Sequence, residues 1–159
     1  YWRLIKSFPT FYQSESSNST STEKTFLVSS PYKDIVVCCL VSSLFYWFWR
    51  VVSNCRHLTN RELDSFVIAS GLQNDSETLM NLRQQYEEDL KRNKVRTVTQ
   101  SKSTGEIIQD FYYMKQSKPI IDEIDKVLAK HYGFTEEELD FIINYDIKYR
   151  MGDELNNAE

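Results

Sequence analysis

The run of residues 35–52, IVVCCLVSSLFYWFWRVV, constrains the fold more than any other part of the chain. It holds fifteen apolar or aromatic residues, two serines and one arginine. Eighteen residues make a helix of about 27 Å, slightly short of the ~20 apolar residues that usually cross a bilayer. A helix that is apolar on every side has to be covered on most sides. We therefore predict a buried central helix and no membrane, with a single membrane-spanning helix as the alternative.

The cysteines and the length favour one intracellular domain. The chain has 159 residues, which suits one domain with a small helical appendage. Cys38 and Cys39 lie inside the apolar run, Cys55 follows it, and no secretory signal pattern precedes them. We therefore expect reduced thiols and a cytoplasmic protein. A metal site made of these cysteines and His57 is an alternative, but its spacing matches no zinc pattern.

The charge of −4 is distributed unevenly along the chain. Residues 1–90 carry eight Lys or Arg and ten Asp or Glu, a net charge of −2. Residues 91–118 carry seven basic and two acidic side chains, whereas residues 119–159 carry four and eleven, so their net charges are +5 and −7. A basic middle region allows a phosphate-facing surface in an acidic protein. The alternative is that these charges only solvate exposed faces.

The patterns before the basic region predict short strands and helices around the central helix. Residues 1–12 and 26–29 are typical of extended segments, and a polar Ser/Thr loop separates them. Pro31 indicates that the central helix begins near Tyr32 or Lys33. A capped helix at residues 61–65 follows, with Thr59 or Asn60 as its cap.

A longer helix should run from Asp75 or Ser76 to about Arg92. Its buried face is predicted to hold four apolar positions: Leu79, Leu82, Tyr86 and Leu90. The opposite face is predicted to be solvated and comprises Arg83, Glu87, Glu88 and Lys91.

The second half of the chain predicts a β-hairpin and then a helical hairpin. Residues 94–113 alternate as two strands around a polar turn at residues 101–105. Pro119 suits the first turn of a helix that stops at Gly133, and Thr135 with Glu138 matches a capping box. We predict an α+β fold with residues 1–115 as the main domain and residues 116–159 as a C-terminal helical appendage.

Searches for catalytic motifs in the chain give nothing. The four glycines form neither a dinucleotide-binding fingerprint nor a phosphate-binding loop. His131 lies beside an apolar helical stripe and is interpreted as structural. Asp122, Glu123 and Asp125 should point in different directions from a helix and are interpreted as solvated. We therefore assign no catalytic residue to this chain.

Two parts of the chain do resemble a known family. The first comprises residues 41–49, VSSLFYWFW, and residues 55–63, CRHLTNREL. The second comprises residues 117–125, SKPIIDEID, and continues through YGFT at residues 132–135 to NYDIKYRMG at residues 144–152. In this order they resemble the C-terminal target-recognition region of N6-adenine DNA methyltransferases of restriction–modification systems, including fused type II restriction–methylation enzymes.

The resemblance implies DNA target recognition without catalysis. The methyl-transfer motif of the family, Asn/Asp-Pro-Pro-Tyr/Phe, has no counterpart here because the chain has no Pro-Pro pair. The glycine-rich S-adenosylmethionine loop is also missing, so no cofactor is expected in this chain. The resemblance thus implies an upstream methyltransferase domain that binds S-adenosylmethionine and receives the flipped adenine. The partners would be that domain and double-stranded DNA.

The candidate DNA-binding residues are chosen from charge and from their predicted loop positions. They are Arg50, Arg56, His57, Asn60 and Arg61 after the central helix, and Arg96, Lys102 and Lys115 on or near the hairpin. The alternative function is a non-enzymatic protein-interaction module, in which the aromatic helix and the C-terminal helices contact a protein partner.

Overall fold

The computed structural model describes residues 2–5, 11–13, 23–26, 30–101 and 105–147 and has an α+β fold, as predicted. Within these ranges the helices are α1 (Lys33–Val41), α2 (Ser43–Val52), α3 (Asn60–Ser65), α4 (Ser76–Asn93), α5 (Lys118–Tyr132) and α6 (Glu136–Asn144). The strands are β1 (Trp2–Ile5), β2 (Phe11–Gln13), β3 (Glu23–Phe26), β4 (Val95–Ser101) and β5 (Gly105–Phe111). Short 3-10 turns at Ser30–Tyr32 and Ser70–Asp75 precede α1 and α4.

The strands form two separate antiparallel sheets. The first has the order β2-β1-β3, and the second is the hairpin of β4 and β5, which confirms the predicted hairpin. In the hairpin Arg96 lies opposite Asp110, and Val98 lies opposite Ile108. β3 begins three residues before the strand predicted at residues 26–29, inside the segment predicted as a polar loop. Residues 27–29 lie outside the described part of the chain.

The prediction of one continuous central helix is wrong. The chain leaves helical geometry at Ser42, where φ is −65° and ψ is 157°, and the axes of α1 and α2 differ by 64°. The Ser42 hydroxyl donates to the Cys39 carbonyl (2.6 Å) and accepts from the Phe45 N–H (3.0 Å). It therefore caps α2, because the first N–H groups of a helix have no partner inside that helix.

Asp125 completes this junction from α5. Its carboxylate accepts hydrogen bonds from the N–H of Ser43 at 2.9 Å and from the N–H of Leu44 at 3.3 Å. Asp125 is buried, so the interpretation of this residue as a solvated acid is wrong. A carboxylate is favourable there because the N-terminus of a helix carries partial positive charge.

The apolar run is the centre of the core, as predicted. Val37, Cys38 and Cys39 of α1 and Phe45 of α2 have no exposed surface. α1 packs against α4 and α5, and α5 also packs against α2 and α6. No single helix among the described residues is long and apolar enough to cross a membrane, although α1 and α2 taken together pass that test as a bent pair.

The solvated face predicted for α4 is wrong at Arg83. This side chain is buried and forms ion pairs with Asp34 of α1 and Glu87 of α4. Burial alone would lower the pKa of Arg83, but the two carboxylates more than offset it, so its pKa lies above the ordinary value. The pairing of a buried cation with two acids joins α1 to α4.

The predicted helical hairpin is confirmed. Gly133 ends α5 with a φ of +74°, a left-handed conformation that suits glycine. The Thr135 hydroxyl accepts from the Glu138 N–H at 3.2 Å, and the Glu138 carboxylate accepts from the Thr135 N–H at 2.8 Å. α6 ends at Asn144. The domain boundary at residue 115 stays a prediction.

Candidate nucleic-acid interface

The segment between α2 and α3, residues 53–59, turns sharply as it leaves the core. Cys55 has a φ of +57°, a left-handed conformation that is uncommon outside glycine. The Cys55 N–H donates to the Ser53 hydroxyl at 3.0 Å, and the Arg56 N–H donates to the Asn54 side-chain oxygen at 3.0 Å. These bonds fix the turn locally, so that Arg56 and His57 follow it on the exposed surface.

Two anchors hold the other end of this segment. Leu58 is almost fully buried, and Thr59 begins α3 with a capping box in which its N–H donates to the Glu62 carboxylate at 2.8 Å. The hydrogen bond from the Thr59 hydroxyl lowers the pKa of Glu62. The Glu62 carboxylate, next to Arg61 in the chain, is thus engaged in the cap, and Asn60 and Arg61 are exposed on the first turn of α3.

The exposed basic side chains of this segment have few acids around them. Residues 50–61 contain three arginines and no Asp or Glu. Within the described residues neither Arg56 nor Arg61 forms an ion pair, and His57 is exposed as well. We define the basic loop as Arg56, His57, Asn60 and Arg61. Unpaired exposed cations of this kind are what a phosphate backbone attracts.

Arg50 differs from the basic loop because it already has a partner. Its Nε lies 3.0 Å from Asp146 Oδ2, and its side chain is 35% exposed. The ion pair connects the last turn of α2 to the segment that follows α6. This contact reduces the positive charge that Arg50 presents to a ligand.

The candidates on the hairpin are also partly neutralised. Arg96 makes two hydrogen bonds to Asp110, from Nε at 2.7 Å and from Nη2 at 2.9 Å, and Lys94 Nζ lies 3.0 Å from the same carboxylate. The bonds from Arg96, helped by Lys94 and opposed by partial burial, hold the pKa of Asp110 well below its usual range. Lys115 is half-buried before α5, and Lys102 lies outside the described residues.

Sequence reasoning missed both acids that pair with the candidate arginines. Arg96 and Asp110 lie at matching distances from the hairpin turn, so the predicted register contained a signal for that pair. Nothing comparable indicated the pair of Arg50 and Asp146, because 96 residues separate them.

Outside the candidate interface, His131 has a structural contact. Its Nε2 lies 2.6 Å from Asp75 Oδ2, which connects the last turn of α5 to the residue before α4. Gly71 packs so close that an added Cβ would lie 2.7 Å from His131 Nδ1. Among the residues that the structure describes, no group of three or more His, Cys, Asp or Glu side chains is arranged to hold a metal ion.

Comparisons of the chain with protein-family models, with curated proteins and with solved structures find no match.

Proposed function

We propose that this chain binds double-stranded DNA through the basic loop and recognises the target of a site-specific adenine-N6 DNA methyltransferase. The observation that carries this proposal is that Arg56 and Arg61 are exposed and form no ion pair among the described residues, in a stretch, residues 50–61, that contains no Asp or Glu. The resemblance of residues 41–63 and 117–152 to target-recognition regions supports the same function. Target-recognition regions of this kind bind DNA, whereas the methyl transfer is carried out by a separate catalytic domain.

The basic loop has side chains for two kinds of contact. Arginines neutralise phosphates, and this attraction supplies most of the affinity of a protein for DNA. Arginine also recognises guanine edges, and asparagine recognises adenine edges, in the major groove. Asn60 and Arg61 are adjacent on the first turn of α3, whose position is fixed by Leu58 and the capping box. A loop held at both ends loses less conformational freedom when it binds.

We propose that DNA recognition and methyl transfer are divided between two domains, because this sequence has neither the methyl-transfer motif nor the S-adenosylmethionine loop of the family. An upstream catalytic domain would bind S-adenosylmethionine and hold the flipped adenine, while this chain would keep the duplex in register. The acidic side chains of residues 119–159, with a net charge of −7, would be repelled by DNA. We therefore propose that the helical hairpin faces solvent or the rest of the enzyme.

Salt-dependent DNA binding tests the proposal. Fluorescence anisotropy with a random-sequence duplex between 50 and 200 mM salt should give a linear plot of log affinity against log salt. Replacing Arg56 and Arg61 together by alanine removes two phosphate contacts, so the slope should decrease in magnitude by about 1.8. Lys130→Ala, which removes an exposed cation from the helical hairpin proposed to face away from DNA, is the control and should leave the slope unchanged. Equal slopes for all three proteins would contradict the assignment of the basic loop.

The second candidate function is a protein-interaction module, and one observation favours it. The β4–β5 hairpin exposes several large apolar side chains: Val95, Val98, Ile107, Ile108 and Phe111. Exposed apolar clusters of this kind mark contact surfaces for other proteins. Binding that does not depend on salt or DNA, and that is lost when these side chains become polar, would favour this function over DNA recognition.

A further inference from the structure

Within the described residues, the outer edge of β4 shows few of the features that normally prevent strands from pairing with another chain. β5 pairs with one edge of β4, and no strand of the described residues pairs with the other. Proteins usually protect such edges with lysine, proline, a bulge or a very short strand. β4 is seven residues long and contains no Lys, Pro or Gly. Its one charge, Arg96, is already paired with Asp110.

The faces of the hairpin are also incompletely covered. Val98 and Ile108 lie opposite each other, and they are 55% and 57% exposed. A two-stranded hairpin is marginally stable in water, and three or more strands with an apolar face are usually needed. A strand added beside β4 would cover Val98 and extend the apolar face across the sheet.

We propose that β4 pairs with β4 of a second copy of this chain, antiparallel and centred on Val98, to form a four-stranded sheet. The sequence of β4 is almost symmetric about this residue. In that register Val98 lies opposite Val98, Thr97 lies opposite Thr99, and Arg96 lies opposite Gln100 of the other copy. Pairs of β-branched residues stabilise antiparallel sheets, and within the strand β4 no like charges lie opposite each other.

The other edge pairings fit less well. Pairing of β5 with β5 about Ile108 would place Glu106 opposite Asp110 of the second copy, and like charges that lie opposite each other are destabilising. Pairing of β4 with β5 of the second copy would use two different surfaces and would not close on itself. The symmetric β4 pairing closes as a dimer. This dimer rests on the second candidate function, the protein-interaction module, and names a second copy of the chain as its partner. It does not depend on the DNA proposal.

Substitutions at Gln100 separate contacts within the hairpin from contacts between copies. The Gln100 side-chain amide donates to Glu106 at 3.4 Å, so Gln100→Arg should strengthen the hairpin itself and Gln100→Glu should weaken it. In the dimer the two substitutions should have the opposite effects, because residue 100 of each copy lies opposite Arg96 of the other copy. A symmetric dimer contains two such pairs. We expect Gln100→Arg to weaken the dimer roughly tenfold and Gln100→Glu to strengthen it by a similar factor. Sedimentation equilibrium measures both.

Several sedimentation results would overturn the proposal. A chain that stays monomeric at all concentrations would do so, as would assembly that continues beyond a dimer. If Gln100→Arg formed the tightest dimer and Gln100→Glu the weakest, the dimer affinity would follow the stability of the hairpin. That order would also contradict the proposed register. The variant with Arg56 and Arg61 replaced by alanine should dimerise like the unmodified chain, so that failure of the DNA proposal and failure of this one can be told apart.

Disulfide cross-linking checks the register independently. Residues directly opposite in antiparallel strands have Cα atoms about 4.5–5.5 Å apart, within reach of a disulfide. Val98→Cys should therefore form covalent dimers under mild oxidation. Ile108→Cys should not, because three strand spacings of about 4.8 Å would separate the two copies of residue 108. The unmodified chain controls for Cys38, Cys39 and Cys55. Cross-linking at residue 108 but not at 98, or at neither, would overturn the proposal.

Discussion

Asp125 shows how much one buried side chain contributes to the shape of this protein. Its carboxylate binds the first N–H groups of α2 from a helix that lies 82 residues further along the chain. A buried backbone donor that loses its partner costs about 1–3 kcal/mol. The change of direction between α1 and α2 therefore depends on a long-range contact as well as on Ser42.

We predict that Asp125→Asn lowers the free energy of unfolding by about 1–3 kcal/mol. The amide keeps the size of the side chain but loses the negative charge that favours the N-terminus of α2. Urea unfolding measures the loss. The matched control is Glu123→Gln, an exposed acid on the same helix, which should change stability by less than ~0.5 kcal/mol. Equal losses in the two variants would show that the contact to α2 contributes little.

Buried charged residues such as Asp125 also show why the burial of some side chains was predicted wrongly from the sequence. Helical periodicity placed Arg83 and Asp125 on solvated faces, because it places charged residues away from the apolar stripe. Both are buried, since each has partners supplied by another helix: Asp34 for Arg83, and the N-terminus of α2 for Asp125. Those partners lie 49 and 82 residues away, beyond the range of any local pattern.

At the scale of elements, the β4–β5 hairpin is the part whose stability should depend most on pH. Arg96 and Lys94 both bind the Asp110 carboxylate, and they hold its pKa below the ordinary value of 3.8. Because the pKa of the folded form is depressed, this pairing stabilises the hairpin above pH 3.8 and is lost as the pH falls below it.

We predict that the protection of hairpin amides, measured by hydrogen exchange and corrected for intrinsic rates, decreases as the pH falls from 5 to 2. Asp110→Asn should lower the protection at pH 5 and should remove most of this pH dependence, because the titrating group is gone. Glu106→Gln, an exposed acid on the same strand, serves as the control and should retain it. If the protection of the hairpin amides still depended on pH in Asp110→Asn, groups other than Asp110 would be responsible for the pH dependence.

The ends of most elements could be predicted because their signals are local. Thr59, Gly133 and Thr135 lie within a few residues of the helix ends that they define, and the structure agrees with the sequence at each one. The break at Ser42 could not be predicted in this way. Ser42 and Ser43 lie between apolar runs on both sides, so the apolar pattern resumes after them and gives no local signal for a break.

The candidate interface was predictable only as a set of charges. The residues of the basic loop could be predicted to lie together because they are close to one another along the chain. Whether a cation is available to a ligand depends on its acidic neighbours, and these come from the fold. Arg50 and Arg96 form ion pairs with such neighbours, whereas Arg56 and Arg61 form none among the described residues. The Glu62 carboxylate beside Arg61 is hydrogen-bonded in the cap of α3.

At the scale of the whole molecule, α5 belongs to the same core as the helices that precede it. Ile121, Ile124 and Leu128 have no exposed surface, and α5 contacts α1, α2 and α4. Tyr132, at its end, donates to the Val67 carbonyl at 2.6 Å. One core that is shared by distant segments is typical of a unit that folds cooperatively.

We therefore predict that residues 1–115 alone do not unfold cooperatively in urea. Removal of α5 would uncover the parts of α1, α2 and α4 that pack against it and would leave the N–H groups at the start of α2 without Asp125. Ile124→Ala in the full chain is the comparison, because it removes core contacts, costs about 2–5 kcal/mol and should preserve a single transition. A fragment that retains native circular dichroism and a cooperative transition would instead support the boundary at residue 115. The helical hairpin would then be an appendage to a main domain that folds without it.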